Sequence, residues 1–240
     1  MAVRDLSLDI KAHEFVVLIG PSGSGKSTTL SLINRLIEPS AGTIEIDGEN
    51  IAQREAVALR RRIGFVFQGI GLFPHLTVAE NIGITPRLLG WQQNRIAERT
   101  QELLQLVRLA PERYAARYPR ELSGGEQQRA GVARALAAEP KIMLMDEPFG
   151  ALDPLVRDEL GAEVRSIHNR LGLTTVLVTH DMTEALLLAD RIVVMRDGGI
   201  VQSGAPAELA RAPANDFVRE MIENPRLRAS RLAELLSAAP

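Results

Sequence analysis

The stretch from Phe15 to Thr28, FVVLIGPSGSGKST, decides how this chain is read. Its first half, Phe15 to Gly20, is a short unbroken apolar run, the pattern of a strand covered on both faces. Its second half, Gly20-Pro21-Ser22-Gly23-Ser24-Gly25-Lys26-Ser27-Thr28, fits G-x-x-x-x-G-K-[ST] with a helix pattern following. Glycines let backbone N–H groups converge on phosphate oxygens, and the helix N-terminus adds partial positive charge. Lys26 can then reach the terminal phosphates, and Ser27 can offer its hydroxyl to Mg²⁺. A plain Gly/Ser turn accounts for the composition of the loop but not for its strand-loop-helix setting.

Working outward, a helix is expected at about Lys26 to Ile37, a short strand at Thr43 to Ile46 leading into an Asp47-Gly48 turn, and another at Ile63 to Phe67. From about Thr77 to Ala138 the pattern is helical and contains the single tryptophan, Trp91, so this segment reads as an inserted helical subdomain. Strand patterns return at Lys141 to Asp146, Thr175 to Thr179 and Arg191 to Met195, with helices near Leu155 to Leu171 and Thr183 to Ala189. Such alternation means an α/β fold with a mostly parallel sheet and crossover helices. The tail, 226–240, is Ala/Leu/Arg-rich and reads as helical.

Composition narrows the classes of function. With 240 residues, 45% hydrophobic and 4% aromatic, the chain can build one aliphatic-cored unit but has few rings to spare for stacking. A net charge of -2 argues against nucleic acid as a partner, and the lack of cysteine removes disulfides, thiolate metal sites and thiol catalysis. No apolar run approaches the roughly 18 residues of a spanning helix, and the first ten residues lack the order of a signal peptide, so a cytoplasmic protein is expected.

Two further segments carry chemistry. Lys141 to Met145 places an apolar strand before Asp146-Glu147. Neighbouring strand side chains face opposite ways, so the two carboxylates can serve one site only if the chain turns there. At a strand's carboxyl end, Asp146 would hold Mg²⁺ and Glu147 would polarise an attacking water. Leu122-Ser123-Gly124-Gly125-Glu126-Gln127-Gln128-Arg129 opens a helix, and Ser123 with Glu126 fits the capping box S-x-x-E. Capping alone explains Ser123 and Glu126. The two glycines between them each cost about 1 kcal/mol in a helix and would let an anion approach the exposed amides.

Together the phosphate loop, LSGGEQQR, Asp146-Glu147, Ala151-Leu152-Asp153 and a late His180 resemble the nucleotide-binding subunit of ABC transporters over about Val3 to Ile222. The resemblance implies a P-loop ATPase over 1–225 with an antiparallel β subdomain and the helical insert at 77–138, using ATP and Mg²⁺. In that family two copies sandwich two ATP molecules head to tail. Ser123 and Gly125 would then contact the γ-phosphate held by a second copy's loop, with Gly124 and Glu126 in the same nucleotide-binding segment, and Asp153 would cross the interface. Gln68 matches the glutamine that senses Mg²⁺ and the attacking water, and His180 the switch histidine at the γ-phosphate. Without that frame, Gln68 is a loop amide, His180 a structural histidine at a strand end, and Leu152-Asp153-Pro154 a helix start. Further partners implied are transmembrane permease subunits and, indirectly, an extracytoplasmic solute-binding protein, with the chain peripheral on the cytoplasmic face of the inner membrane.

Asn34 to Gly48 and Gly71 to Ile82 are most similar to the importers of quaternary-amine osmoprotectants such as glycine betaine, carnitine and choline, although GLFPHLTVAENI-like segments also occur in importers of polyamines and other solutes. Three departures stand out. No aromatic precedes Gly20 except Phe15, within the strand, so either the chain begins late or adenine stacks on something else; weakened nucleotide affinity is expected. His13-Glu14 replaces a Gly-Glu turn. About 15 residues follow the apparent domain end, too few for the paired C-terminal regulatory modules of several relatives, so no sharp salt activation of the ATPase is expected. A DNA-repair or translation ATPase of the same superfamily, a small-molecule P-loop kinase and a hydrolysis-dead regulatory module are the competing readings.

Overall fold

Alternation along the first strand sets the architecture: Phe15, Val17 and Ile19 join one apolar cluster while Val16 and Leu18 join another, and all five are fully buried. A sheet covered on both faces follows. The computed structural model describes residues 2–69, 71–223 and 227. In chain order its elements are β1 (Phe15–Ile19), α1 (Lys26–Ile33), β2 (Glu45–Ile46), β3 (Glu49–Asn50), α2 (Ala56–Arg60), β4 (Ile63–Val66), α3 (Val78–Leu88), α4 (Gln93–Leu106), α5 (Pro111–Tyr114), α6 (Gly124–Leu136), β5 (Ile142–Asp146), α7 (Pro154–Leu171), β6 (Thr174–Thr179), α8 (Met182–Leu188), β7 (Arg191–Arg196), β8 (Gly199–Gly204) and α9 (Pro206–Arg211). Residues 216–223 are also helical, and most of the tail expected to be helical lies outside the described residues.

The main sheet runs β4-β5-β6-β1-β7-β8, parallel throughout except for the β7–β8 hairpin at one edge. One face carries Leu30 of α1 with Ile51 and Leu59, packed on Val16, Leu18, Leu144, Val176 and Val178. The other face carries apolar residues of α3, α4, α6, α7 and α8. A second, antiparallel ladder pairs β2 with β3. Its turn residues Asp47 and Gly48 have φ of 54° and 76°, the left-handed pair of a tight type I′ hairpin.

Two boundaries differ from the sequence pattern by more than one residue. The helix after the phosphate loop stops at Ile33 rather than Ile37: Arg35 adopts φ 48°, and the amides of Leu36 and Ile37 both donate to the Ser31 carbonyl. Pro39 beyond them disfavours further helix. The strand expected at Thr43 to Ile46 shrinks to Glu45–Ile46, because its partner arm ends at Asn50, whose side chain caps a single 3-10 turn at Ile51–Gln53.

His13, which stands where a glycine is usual, takes the left-handed conformation such a glycine would adopt, with φ 64°. Its amide donates to Thr174 Oγ1 at 3.0 Å and its Nδ1 lies 2.5 Å from the Gly172 carbonyl oxygen. These bonds to the α7–β6 turn hold the unfavourable backbone in place.

His168 of α7 is 3% exposed, lies 2.9 Å from Thr175 Oγ1 through Nδ1, and packs against the Phe15 ring at 5.0 Å. Burial first, then the Arg165 charge, lowers its pKa, with Asp190 opposing. A histidine held neutral in the fold contributes stability above its unfolded pKa of about 6.5, lost as pH falls through the lower folded value. The melting temperature of the wild type is therefore expected to fall more steeply between about pH 7 and 5 than that of His168→Gln, which keeps a partner for Thr175. Parallel melting curves would remove His168 as the source of that slope.

Candidate active site

Because five neighbouring strands run parallel, their carboxyl ends open on one edge of the sheet, the place where open α/β sheets bind ligands. β1 delivers Gly20 to Thr28 there, β4 leads to Gln68, β5 ends at Asp146 with Glu147 next, and β6 is followed by His180. Residues far apart in sequence thus share one rim.

Gly20 has φ 157° and lies so close to β7 that a Cβ would run into the Met195 carbonyl oxygen. Only a glycine lets the loop leave β1 beneath that backbone. Lys26, 6% exposed, donates to the carbonyl oxygens of Gly20 and Pro21 at 2.8 and 2.9 Å. Its ammonium is thus folded back over the loop it belongs to. Burial depresses the Lys26 pKa, while the charges of Glu147 and then Asp146 pull it back up.

Ser27 Oγ donates to Asp146 Oδ1 at 2.8 Å, joining the loop to β5. A hydroxyl and a carboxylate, both oxygen donors, are what a hard divalent cation such as Mg²⁺ takes. Burial raises the Asp146 pKa first; the Ser27 bond lowers it, the Glu147 charge raises it and Lys26 lowers it.

The turn that two adjacent carboxylates require is present. Glu147 has φ 43°, outside the strand conformation of Asp146, and its amide donates to the Val178 carbonyl at 3.0 Å. Its Oε2 accepts from Gln68 Nε2 at 3.2 Å and lies 3.3 Å from His180 Nδ1. Gln68, Glu147 and His180 therefore meet at one oxygen, which leaves the other carboxylate oxygen to accept from a water. With Lys26, Ser27 and Asp146 beside them, six of the residues singled out in sequence come together.

Ser123, Gly124, Gly125, Glu126 and Asp153 form a different place. Ser123 and Glu126 make the capping box of α6: Ser123 N donates to Glu126 Oε2 at 2.7 Å and Glu126 N to Ser123 Oγ at 3.4 Å. Asp153 caps α7, accepting from Val156 N at 3.2 Å. The two helix starts line one open cleft of about 360 Å³ with Leu152, Arg129 and Glu159. Among the described residues no hydrogen bond joins this cleft to Gly20–Thr28. Gly125 has a packing reason that spacing does not reveal, since a Cβ there would lie 2.8 Å from Val156 Cγ1. Gly125→Ala is expected to cost about 1–3 kcal/mol as α6 and α7 are pushed apart, read by chemical denaturation. An unchanged midpoint would show that Val156 swings away freely.

Three participants were missed in the sequence. Arg157, on the first turn of α7, donates to the Leu152 carbonyl at 3.1 Å and to Asp181 Oδ2 at 3.5 Å, tying the Asp153 loop to the residue after His180. Glu184 holds Thr179 Oγ1 at 2.6 Å from the other side of the same loop. Tyr114 donates to Glu126 Oε1 at 2.5 Å. Each acts through partners distant in sequence or in a neighbouring element, so no local motif announces it.

Fold and loop together define a P-loop nucleotide-binding protein. The chain belongs to the ABC transporter family, whose model matches residues 3–150. It is 58% identical over 230 residues to the glycine betaine/carnitine/choline transport ATP-binding protein OpuCA of Bacillus subtilis, covering 96% of this chain and 60% of that protein. It is 52% identical to the glycine betaine uptake system ATP-binding protein YehX of Escherichia coli, covering 99% and 77%. The chain spans about three fifths of the length of the Bacillus OpuCA and OpuBA proteins it matches. Among solved structures it resembles the dimeric ATP-binding cassette MJ0796 in a post-hydrolysis state bound to ADP and Pi, at TM-score 0.77 and 37% identity over 85% of this chain and 90% of that one. It also resembles cbiO1 of Clostridium perfringens, at TM-score 0.82 and 27% identity over 98% and 92%.

Proposed function

We propose that this chain is the ATP-hydrolysing subunit of an ABC importer for quaternary-amine osmoprotectants such as glycine betaine, carnitine or choline. The relatives' names support the solute class, and the convergence of Gln68, Glu147 and His180 on one carboxylate oxygen supports hydrolysis. On this reading residues 1–225 form one nucleotide-binding unit with 77–138 as its helical insert. It works at the cytoplasmic face of the inner membrane with permease subunits and, through them, an extracytoplasmic solute-binding protein. No helix among the described residues is long and apolar enough to cross a membrane.

In the proposed chemistry Gly20 to Thr28 wrap the phosphates of ATP with their amides, and Lys26 leaves its loop carbonyls to pair with the terminal phosphates. Ser27, Asp146 and Gln68 would hold Mg²⁺, which would neutralise charge on the phosphates. Glu147 accepts a proton from the attacking water, while Gln68 and His180 hold its carboxylate in place. Most of the acceleration comes from positioned charge, since phosphoryl transfer asks little covalent work of the protein.

Ser123–Glu126 and Asp153 lie apart from that rim, which supports a site completed by a second copy arranged head to tail. Mixing tests it. Lys26→Met chains lack a working phosphate loop and Ser123→Glu chains lack a working capping loop, so each alone should be inactive. Mixed together they form hybrid dimers with one intact composite site and recover a fraction of the wild-type ATPase rate. No recovery would sink the composite site. Uptake of labelled glycine betaine or choline by cells carrying the matching permease tests the solute class.

A further inference from the structure

Of the two tyrosines, Tyr118 is exposed and Tyr114 is buried, on the short helix α5. The Tyr114 hydroxyl donates to Glu126 Oε1 at 2.5 Å. The other oxygen, Oε2, accepts from Ser123 N at 2.7 Å and from Ser123 Oγ at 2.9 Å. Three donors therefore occupy one carboxylate, and the Ser123 hydroxyl proton is directed to it. The guanidinium carbons of Arg113 and Arg117 lie 5.1 and 5.2 Å from the centre of the Tyr114 ring, adding positive potential around the pair.

This arrangement answers a difficulty in the loop. A site meant to receive a phosphate carries a glutamate at its mouth, and a free carboxylate there would repel the ligand and compete for the amides that should bind it. We propose that Tyr114 is a positioning residue for the Ser123–Glu126 loop: by holding one Glu126 oxygen it keeps the other on Ser123, fixing the loop amides and turning the carboxylate away from an arriving phosphate. The inference rests on reading this loop as the half-site that a second copy completes. The bonds from Tyr114 and then Ser123 hold the Glu126 carboxyl below the usual range, so it stays ionised, and the same contact raises the Tyr114 phenol, so the hydroxyl keeps its proton.

Tyr114→Phe removes only the hydroxyl, and the double change with Glu126→Gln tells whether the effect passes through the carboxylate. In the nucleotide-free chain, Tyr114→Phe should speed amide hydrogen exchange at 123–127 several-fold, and by clearly less in the Glu126→Gln background, where a neutral acceptor makes a weaker bond. No acceleration, or equal acceleration in both backgrounds, overturns the proposal. In a Glu147→Gln background that traps the ATP-bound dimer, Tyr114→Phe should raise the dimer dissociation constant about tenfold while the affinity of the single chain for ATP stays the same. A parallel loss of single-chain ATP affinity would mean a general packing role and overturn it too. If no ATP-dependent dimer forms even with Tyr114 intact, yet the exchange effect appears, the composite-site reading fails while the Tyr114–Glu126–Ser123 coupling is supported.

Discussion

Glu147→Gln is expected to slow single-turnover ATP hydrolysis by about 10²–10⁴-fold, the range a positioned general base supplies. The amide keeps the shape of the carboxylate and can still accept from Gln68, but it cannot take a proton from water. ATP binding should persist, because Lys26, Ser27 and Asp146 are untouched, and the ATP-bound dimer should accumulate on gel filtration. Hydrolysis at the wild-type rate would remove Glu147 as the base. His180 and Gln68 reach the same oxygen, at 3.3 and 3.2 Å, so His180→Ala should lower the rate by releasing that carboxylate rather than by abolishing proton transfer.

Gly20→Ala is the second large effect. An added methyl would collide with the Met195 carbonyl oxygen, a backbone atom fixed in β7, so neither side can yield cheaply. Overpacking of this kind costs about 1–3 kcal/mol or more. At the upper end the melting temperature of a chain this size should drop by roughly 6–12 °C, and ATP binding should be lost as the loop is displaced. Gly23→Ala is the control: nothing lies within 4 Å of the position its Cβ would take, although φ 80° still makes it a mildly strained change. Equal melting temperatures and equal ATP affinity for the two variants would show that contact with β7 does not shape the loop.

Motifs make most of the rim legible in the sequence, because a phosphate loop, a strand-end carboxylate pair and a strand-end histidine each declare themselves within a few residues. Apolar runs such as Phe15 to Ile19 and Ile142 to Met145 read correctly as strands because burial on both faces leaves no alternation to interpret. The turn at Glu147 is implied by the sequence itself: adjacent strand carboxylates cannot share a site, and φ 43° resolves the conflict. Ile33 as the end of α1 was not legible, since Leu36 and Ile37 continue the apolar pattern, while the left-handed Arg35 and the bonds back to Ser31 end the helix. Arg157 and Tyr114 were invisible for another reason. Their partners are set by how α7 meets β6 and how α5 meets α6, and spacing along the chain does not report that.

The position of β1 has a consequence for how the protein is made. It lies between β6 and β7, with Phe15 beside Thr175 and Ile19 beside Val194. β1 therefore gains neither lateral neighbour until the residues from Gly20 to Thr174 have followed it out of the ribosome. At roughly 5–20 residues per second that wait is on the order of ten to thirty seconds. Throughout it the apolar FVVLI strand lacks both its sheet partners. Chaperone binding to a nascent chain halted before Thr174 should centre on that strand and should diminish once Met195 has emerged.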